Sequence, residues 1–373
     1  MRKVNKSLEL TQDESEAVSQ LIIPATRYGE SSFYDAFALR GIRLDQVEPG
    51  VLVVCSFKVP PRLTDRSGNL ANGAIANLVD IVGAAVAYVP GLSMNVSVDI
   101  SISYMSTAKL HDELEITSRM LGRVGGCSGT IVILRNKTTG EIIAEGRHSL
   151  FRSHLGLTPK LDTGRVQVLQ ANKAFTQLKS RNTRDDVHAL YIATLIFQWP
   201  ERVLREMDPN DEGKMERAKK FLGLSQDESE AVSRLAVPER QAGEGKSFYD
   251  TFALAGNRVA RVEPGLIVCN FKVPPRLTDR TGKLASGAIA NLVDVAGISV
   301  DFVEGLPMNV SVDMSISHLS TAKLDDELEI ISKRLGQRGG CTGALVLVRN
   351  KATGEIIAEG RLSMFRTQAS SKL

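Results

Sequence analysis

The feature that most constrains the fold is a run of small and apolar residues that occurs twice, at residues 70–89 and 284–303. Its first eleven positions differ once between the copies, where Asn72 is replaced by Ser286. Because no polar stripe follows the helical period, the pattern predicts a helix that is buried on most sides. Each run carries one shared acidic residue well inside the helix, Asp80 in the first copy and Asp294 in the second.

These two aspartates are the first candidates for a functional role. Aspartate is unfavourable in a helix interior and costly in an apolar environment unless it has a partner. An ordinary hydrogen-bonded carboxylate on the solvent edge of the helix is the alternative, but the apolar residues on either side leave little room for such an edge. A desolvated acid in a cleft is a marker of a functional site.

Two copies of one domain account for most of the sequence, and the two aspartates set their offset at 214 residues (294 minus 80). The predicted domains are residues 8–151 and 221–366. A linker at residues 152–220, partly helical or disordered, separates them, and a flexible tail follows at residues 367–373. A repeat of this length predicts two equivalent domains rather than a solenoid.

Composition excludes several classes of function. The chain has 373 residues, a net charge of +3 and only 5% aromatic residues, so it offers neither a basic field nor a stacking surface for nucleic acid. No apolar run between the repeats is long enough to span a bilayer. Four cysteines lie at equivalent positions of the copies without metal or redox spacing, which predicts reduced thiols. They are Cys55, Cys127, Cys269 and Cys341.

The tail ends in Ser-Lys-Leu at residues 371–373. This tripeptide is a peroxisomal import signal. The sequence therefore predicts a peroxisomal import receptor as a partner and a peroxisomal location, with the cytoplasm as the location if the triplet is only part of a random polar tail.

The order of elements predicts an α+β fold in each copy. A helix with a capping box opens each one, at residues 11–14 and 225–228. In the first copy a strand at 51–57 and a loop at 63–68 precede the apolar helix. Strands are then predicted at residues 95–104, 113–121, 129–135 and 141–147, the last two joined by a hairpin turn. Alternation in residues 95–104 assigns Val96 and Ile100 to one face and Ser97 and Asp99 to the other.

The familiar catalytic signatures are missing from this sequence. It has no Walker loop, dinucleotide fingerprint, nucleophile elbow or zinc spacing, so no metal or organic cofactor is predicted. None of its five histidines occurs at equivalent positions of both copies, which excludes a shared histidine-based triad. Chemistry common to the two domains would use carboxylate, hydroxyl and backbone groups.

Three motifs together resemble the hotdog-fold acyl-CoA thioesterases, in particular the acyl-coenzyme A thioesterase 13-like (PaaI-like) branch. The motifs are Gly-Ala-Ile-Ala-Asn-Leu-Val-Asp at residues 73–80, Val-Ser-Val-Asp-Ile-Ser-Ile-Ser-Tyr-Met-Ser-Thr-Ala-Lys-Leu at 96–110, and Asn-Lys-Thr-Thr-Gly-Glu-Ile-Ile-Ala-Glu-Gly-Arg-His at 136–148. Counterparts follow at residues 287–294, 310–324 and 350–361. The resemblance covers both repeats but not the linker. It implies tandem hotdog domains, each an antiparallel sheet of about five strands wrapped around one helix.

The resemblance also implies an activity, the hydrolysis of acyl-CoA to a free fatty or aryl acid and coenzyme A. The aspartates would act as general base or nucleophile, glycine amides would stabilise the oxyanion, and serines would position the attacking water. The residues at these positions are Asp80, Asp294, Gly73, Gly287, Ser97 and Ser311. Because family sites straddle two hotdog units, Asp80 and Ser97 would face Gly287 and Asp279, and the equivalent pair would face Gly73 and Asp65.

Candidates for binding the coenzyme A moiety come from two regions of each copy. A lysine and a glycine-rich turn both suit phosphate, although a solvated lysine is an equal alternative. The candidates are Tyr104, Lys109, Gly125, Gly126, His318, Lys323, Gly339 and Gly340. The two repeats are expected to pair with each other, within one chain or between chains, and two chains are expected to form a homodimer.

Some positions depart from the family pattern. The family usually carries His-Gly-Gly at the start of the helix, where this chain has Ala-Asn-Gly at residues 71–73 and Ala-Ser-Gly at 285–287. Asp65 and Asp279 stand where relatives often have asparagine, and a second acid would raise the pKa of a neighbouring carboxylate. For Asp65 a purely structural role in a turn is an equal alternative.

Two other functions remain open at this stage. The altered glycine positions would also suit an acyl-CoA-binding protein of the same fold that hydrolyses slowly or not at all. A hotdog hydratase or dehydratase is a third class, and the lack of a matching histidine in both copies argues against it.

Overall fold

The structure is a computed structural model that describes residues 32–48, 50–88, 94–124, 126–152, 221–235, 246–302 and 309–366, together with residues 8, 10, 18, 21, 23–24 and 237. The predicted linker beyond residue 152, the tail at 367–373, the first capping box and Gly125 lie outside these residues.

Each repeat contains an antiparallel sheet and one long apolar helix, which confirms the predicted α+β class and the tandem hotdog arrangement. The elements of the first repeat are α1 (Phe33–Leu39), β1 (Arg43–Glu48), β2 (Leu52–Lys58), α2 (Asn72–Ala87), β3 (Val96–Tyr104), β4 (Glu113–Val124), β5 (Cys127–Asn136) and β6 (Ile142–Phe151). Those of the second are α3 (Gln226–Ser233), α4 (Phe248–Leu254), β7 (Arg258–Glu263), β8 (Leu266–Lys272), α5 (Ser286–Ser299), β9 (Val310–His318), β10 (Glu327–Arg338), β11 (Cys341–Asn350) and β12 (Ile356–Phe365).

The strands of both repeats form one twelve-stranded antiparallel sheet in the described part of the chain, in the order β1-β2-β4-β5-β6-β3-β9-β12-β11-β10-β8-β7. The repeats join where β3 pairs with β9. At the centre of this pairing Ser101 lies opposite its own equivalent, Ser315, so a pseudo-twofold axis passes between them. The Ser317 hydroxyl donates to Asp99 over the junction at 2.9 Å.

The long helices α2 and α5 cover one face of this sheet and pack against each other. A Cβ built on Gly73 would lie 2.7 Å from the Cβ of Asn291, and one on Gly287 would lie 2.7 Å from the Cβ of Asn77. Only glycine allows this approach, because a side chain there would collide with the facing helix. The start of each helix therefore lies against the middle of the other.

Local sequence accounts for several of these elements. Ser225 caps α3 by accepting a hydrogen bond from the backbone N–H of Glu228 at 3.3 Å, as the predicted capping box requires. In the hairpin between β5 and β6, the side chain of Asn136 accepts hydrogen bonds from two backbone N–H groups, and Gly140 adopts a φ of 73°. The predicted strands agree with the observed ones to within about four residues at their ends.

The structure also corrects the sequence analysis. Among the described residues each repeat contributes six strands, and the edge strand β1 was not predicted because it has no buried residue and so lacks an apolar pattern. The alternation predicted for β3 is wrong at its start. A register shift between Ser97 and Asp99 in the pairing with β6 makes Val98 the extra residue of a bulge. Ser97 therefore lies on the helix-facing side with Ile100, and Val96 is 48% exposed.

Candidate active site

The aspartates of the long helices are each hydrogen-bonded to a strand serine of the same repeat. Ser97 donates its hydroxyl to Asp80 at 2.5 Å, and Ser311 donates to Asp294 at the same distance. The β-bulge turns each serine toward the helix, because a regular strand would point it to the opposite face. In the second repeat, Ser363 of β12 pairs with Asp313 and Met364 pairs with Ser311, so the equivalent bulge lies on β9.

Each aspartate also faces the first turn of the other repeat's helix. The Asn72 side-chain nitrogen lies 3.5 Å from the Asp294 carboxylate, and the Ser286 side chain lies close enough to Asp80 to lower the pKa of that carboxyl. The residues before α2 and α5 are alanines, which provide no side-chain cap. The first N–H groups of a helix have no intrahelical acceptor, and here no side chain caps them. Together with the helix dipole they favour negative charge nearby.

Two composite sites result, and each draws on both repeats. The first site consists of Asp80, Ser97 and His148 from the first repeat, with Ser286, Gly287 and His318 from the second. The second site consists of Asp294 and Ser311 from the second repeat, with Asn72, Gly73 and Tyr104 from the first. Each site thus joins an aspartate and a serine of one repeat to the first helical turn of the other repeat. The Tyr104 hydroxyl donates to the backbone oxygen of Asn72 at 3.4 Å.

His148 is a member of the first site that the sequence did not identify. Its Nε2 lies 3.0 Å from the Ser97 hydroxyl oxygen and 3.3 Å from the Asp80 carboxylate. Because the serine proton goes to Asp80, Nε2 carries hydrogen and donates to the serine. Burial lowers the pKa of His148 to about 3, so the ring is neutral. A chain of hydrogen bonds then runs from His148 through Ser97 to Asp80.

The second repeat has Leu362 where the first has His148. A Cβ built on Gly297 would lie 2.8 Å from a methyl group of Leu362, whereas one on Gly83 would lie 2.8 Å from the Nδ1 of His148. Both side chains thus fill the same space under the helix, but only His148 is polar. The exclusion of a shared histidine triad holds because this histidine is not repeated.

His318 enters the first site from the second repeat, where the first repeat has Tyr104. Both of its ring nitrogens are buried without a hydrogen-bond partner. Burial lowers the pKa of His318 to about 4, against an opposing effect of the nearby Asp80 carboxylate. An unpaired buried polar atom is costly, so this ring is available to a bound ligand.

The two aspartates differ in their surroundings. Burial raises the pKa of Asp294 to about 6, although Ser311 and Asn72 favour its ionised form. Burial also raises the pKa of Asp80, while Ser97 and His318 lower it and the carboxylate of Asp279 raises it further. By whole-residue exposure Asp80 is partly exposed, whereas Asp294 is buried. Asp80 is therefore the more accessible carboxylate.

Asp65 and Asp279 organise their own loops. Asp65 accepts hydrogen bonds from the backbone N–H groups of Ser67 and Asn69 at 2.7 and 3.0 Å. Asp279 does the same for Thr281 and Lys283. These contacts match the turn role that the sequence left open.

The predicted coenzyme A residues are dispersed. Lys109 and Lys323 are exposed, and each donates its backbone N–H to an aspartate three residues later. A Cβ built on Gly126 would lie 2.5 Å from the backbone oxygen of Arg152, and one on Gly340 would lie 2.8 Å from the ring of Phe365. Gly339 adopts a φ of 60°, as its hairpin requires. Gly126, Gly339 and Gly340 thus lie in hairpin turns, and among the predicted residues His318 and Tyr104 lie at the aspartate sites.

The part of the chain that the structure describes has neither a metal site nor a membrane-spanning helix. No group of three or more histidine, cysteine, aspartate or glutamate side chains there has the geometry to hold a metal ion. No helix of those ranges combines the length and apolarity that crossing a bilayer requires. All four cysteines are free.

Comparison with known proteins places these sites in context. Residues 67–133 match the family model described as "Thioesterase superfamily". Acyl-coenzyme A thioesterase 13 of Mus musculus is 39% identical over 105 residues, 28% of this chain and 73% of that protein. The Homo sapiens protein of the same name is 40% identical over 116 residues, 31% of this chain and 80% of that protein.

Solved structures give similar matches. Zebra fish thioesterase superfamily member 2 is 35% identical, with a TM-score of 0.29 over 31% of this chain and 84% of that one. A putative thioesterase from Novosphingobium aromaticivorans is 14% identical, with a TM-score of 0.48 over 87% of this chain and 98% of that one.

Proposed function

Since the chain belongs to the thioesterase superfamily, we propose that it hydrolyses acyl-CoA to a free fatty or aryl acid and coenzyme A at two composite sites. The observation that carries the proposal is the position of Asp80 and Asp294. Each lies inside a long apolar helix, is hydrogen-bonded to a serine and faces the first turn of the other repeat's helix, which has no side-chain cap. The curated relatives named as acyl-coenzyme A thioesterases support the substrate class.

The geometry suits attack on a thioester carbonyl. The carboxylate takes a proton from water as the water oxygen bonds to the carbonyl carbon, or attacks that carbon itself. The developing oxyanion is stabilised by N–H groups at the start of the opposite helix, around Gly287 for Asp80 and Gly73 for Asp294. The C–S bond then breaks and coenzyme A leaves as a thiolate, which needs no strong general acid because thiols are acidic leaving groups. Where the carboxylate itself attacks, the acyl group stays on it as a mixed anhydride, which water then hydrolyses to the free acid.

The serines hold the carboxylates in place for this step. Ser97 and Ser311 each donate their only hydroxyl proton to the aspartate, which leaves their oxygen lone pairs for another donor. In the first site that donor is His148, at 3.0 Å. A water held by Ser311 would fill the same role in the second site, where Leu362 donates nothing. The first site is thus the better organised of the two.

Thiol release from a panel of acyl-CoAs tests this function. The native chain is compared with Asp80→Asn, Asp294→Asn and the double variant, and Glu113→Gln, which removes an exposed carboxylate, is the matched control. We expect Asp80→Asn to remove the larger share of turnover, the double variant to remove nearly all of it, and Glu113→Gln to be unchanged. Undiminished turnover in the double variant would refute the mechanism.

A non-hydrolytic acyl-CoA-binding protein is the second candidate. It is supported by Asn72 and Ser286, which stand where the family has glycine and lie near the carboxylates of the opposite repeat, with Asn72 at 3.5 Å from Asp294. These contacts compete with an attacking water. A native chain that binds acyl-CoA tightly in calorimetry but releases no thiol would favour this function.

Location and assembly stay predictions. Import into peroxisomes is proposed from the Ser-Lys-Leu at residues 371–373, and unchanged import after its deletion would contradict it. Assembly of two tandem chains into a homodimer is proposed from the family resemblance, and light scattering measures it.

A further inference from the structure

The second repeat contains a buried carboxylate that is fully engaged by donors. Asp301 follows the last turn of α5, and 4% of its side chain is exposed. Its carboxylate accepts hydrogen bonds from Asn309 and Thr342, both at 3.0 Å, and pairs with Arg334 and Arg366, both at 3.1 Å. Burial alone would raise the pKa of Asp301, but these donors hold it below its usual value.

The first repeat has the donors without the carboxylate. Ala87 occupies the position equivalent to Asp301, whereas Asn95, Ser128 and Arg152 are equivalent to Asn309, Thr342 and Arg366. Met120 replaces Arg334, but a second guanidinium comes from Arg123, three residues later on the same strand. Both repeats therefore bring two arginines, an amide and a hydroxyl to one place, and only the second repeat supplies an anion.

Lacking that anion, three donors share one backbone oxygen. The side chains of Arg152, Asn95 and Arg123 donate to the Ala87 carbonyl at 2.7, 3.2 and 3.4 Å. A carbonyl oxygen has two lone pairs, so it does not satisfy all three donors well. Arg123 also donates to the Ser128 hydroxyl at 3.2 Å.

Arg152 shows most directly that the donors of the first repeat lack hydrogen-bond acceptors. The residue is 5% exposed, and its Nε is buried without any hydrogen-bond partner. The corresponding Nε of Arg366 donates to Asn309 at 2.9 Å, in an arrangement held by the Asp301 carboxylate. Burial and the adjacent Arg123 lower the pKa of Arg152 to about 10. Among the described residues no acidic side chain pairs with either guanidinium.

We propose that the first repeat binds a carboxylate-sized oxyanion between Arg123, Arg152 and Asn95, where Asp301 places its side chain in the second repeat. Guanidinium groups recognise carboxylate and phosphate oxygens in the same paired geometry. The anion would accept from both arginines and turn Asn95 toward Arg152, as Asn309 is turned toward Arg366. Seven residues of α2, about 10 Å of helix, separate this place from Asp80.

Calorimetric titration of the full chain with sodium acetate and with inorganic phosphate, at constant ionic strength, tests the proposal. Ala87→Asp supplies the carboxylate within the chain, as the second repeat does naturally, and should abolish binding while the protein remains folded. Asp301→Ala is the converse variant and should create a second site of the same kind. Arg123→Gln, which removes a half-buried guanidinium, should weaken binding about tenfold.

The outcomes separate two sources of the anion. Competition between coenzyme A and phosphate in the native chain, lost in Ala87→Asp, would identify a phosphate group of coenzyme A. If acetate or phosphate binds saturably and coenzyme A does not affect that binding, the ligand of the site is a free anion. Either result supports the site. Equal titrations of the native chain and Ala87→Asp, or a response that never saturates, would overturn it.

Discussion

Replacing Asp294 by asparagine should stabilise the protein at neutral pH. The carboxylate is 6% exposed, and its burial among apolar helix residues raises its pKa from 3.8 to about 6. The folded chain therefore holds the proton more tightly than the unfolded chain does. Ionisation of Asp294 lowers the free energy of unfolding as the pH rises from about 4 to about 6.

The size of the effect follows from this shift. A difference of about two pKa units corresponds to about 3 kcal/mol at pH values above both pKa values. Asparagine is isosteric and its oxygen still accepts from Ser311, but it never ionises. Since its NH₂ group then faces the amide of Asn72, we expect a net gain of about 1–3 kcal/mol at pH 7.5 and none below pH 4.

Urea unfolding followed by far-UV circular dichroism at pH 4, 5, 6 and 7.5 measures this gain. The free energy of unfolding of Asp294→Asn should diverge from that of the native chain between pH 4 and pH 6 and then stay parallel to it. Glu113→Gln, an exposed carboxylate, is the control and should show no such divergence. A variant that is less stable than the native chain at pH 7.5 would refute the assignment of Asp294 as a destabilising buried charge.

Three further substitutions test the packing and the asymmetry of the sites. Gly83→Ala places a methyl group against His148 and should cost about 1–3 kcal/mol in urea unfolding, whereas Gly122→Ala, which meets nothing within 4 Å, should cost less than that. Arg280→Ala leaves Asp35 buried and unpaired, since the two form an ion pair of 3.2 Å between the repeats. It should cost about 3–5 kcal/mol, and the double change with Asp35→Asn should recover part of this. In a chain whose second site is disabled, His148→Leu should lower thiol release about tenfold or more, and equal release would exclude a role for the histidine.

The sequence was sufficient for the features that carry a clear hydrophobic pattern. The apolar helices, the two aspartates and most strands follow from hydrophobic periodicity and from the duplication itself. The sequence did not predict on which side of the strand Ser97 lies. A β-bulge there reverses the alternation of the two faces without changing the pattern of apolar residues. The resemblance to a family identified this serine without explaining how it turns toward the helix.

Features without a hydrophobic pattern of their own were the hardest to predict. His148 is adjacent to Asp80 only because β6 lies beside β3 in the sheet, and sequence separation gives no indication of that contact. The short helices α1 and α4, which are equivalent in the two repeats, were not predicted either. Phe37 of α1 stacks on Phe252 of α4 at 3.8 Å, so these helices are stabilised by a contact between repeats rather than by their own period.

The pairing of β3 with β9 has a consequence for how activity depends on dilution. If each repeat were a separate chain, the two chains would dissociate on dilution. Sites built at their junction would be lost once the protein concentration fell below the dissociation constant of the pair. Here both halves belong to one chain, so the junction forms within the chain and does not depend on the protein concentration. Specific activity should therefore stay constant down to nanomolar enzyme, as in a monomer.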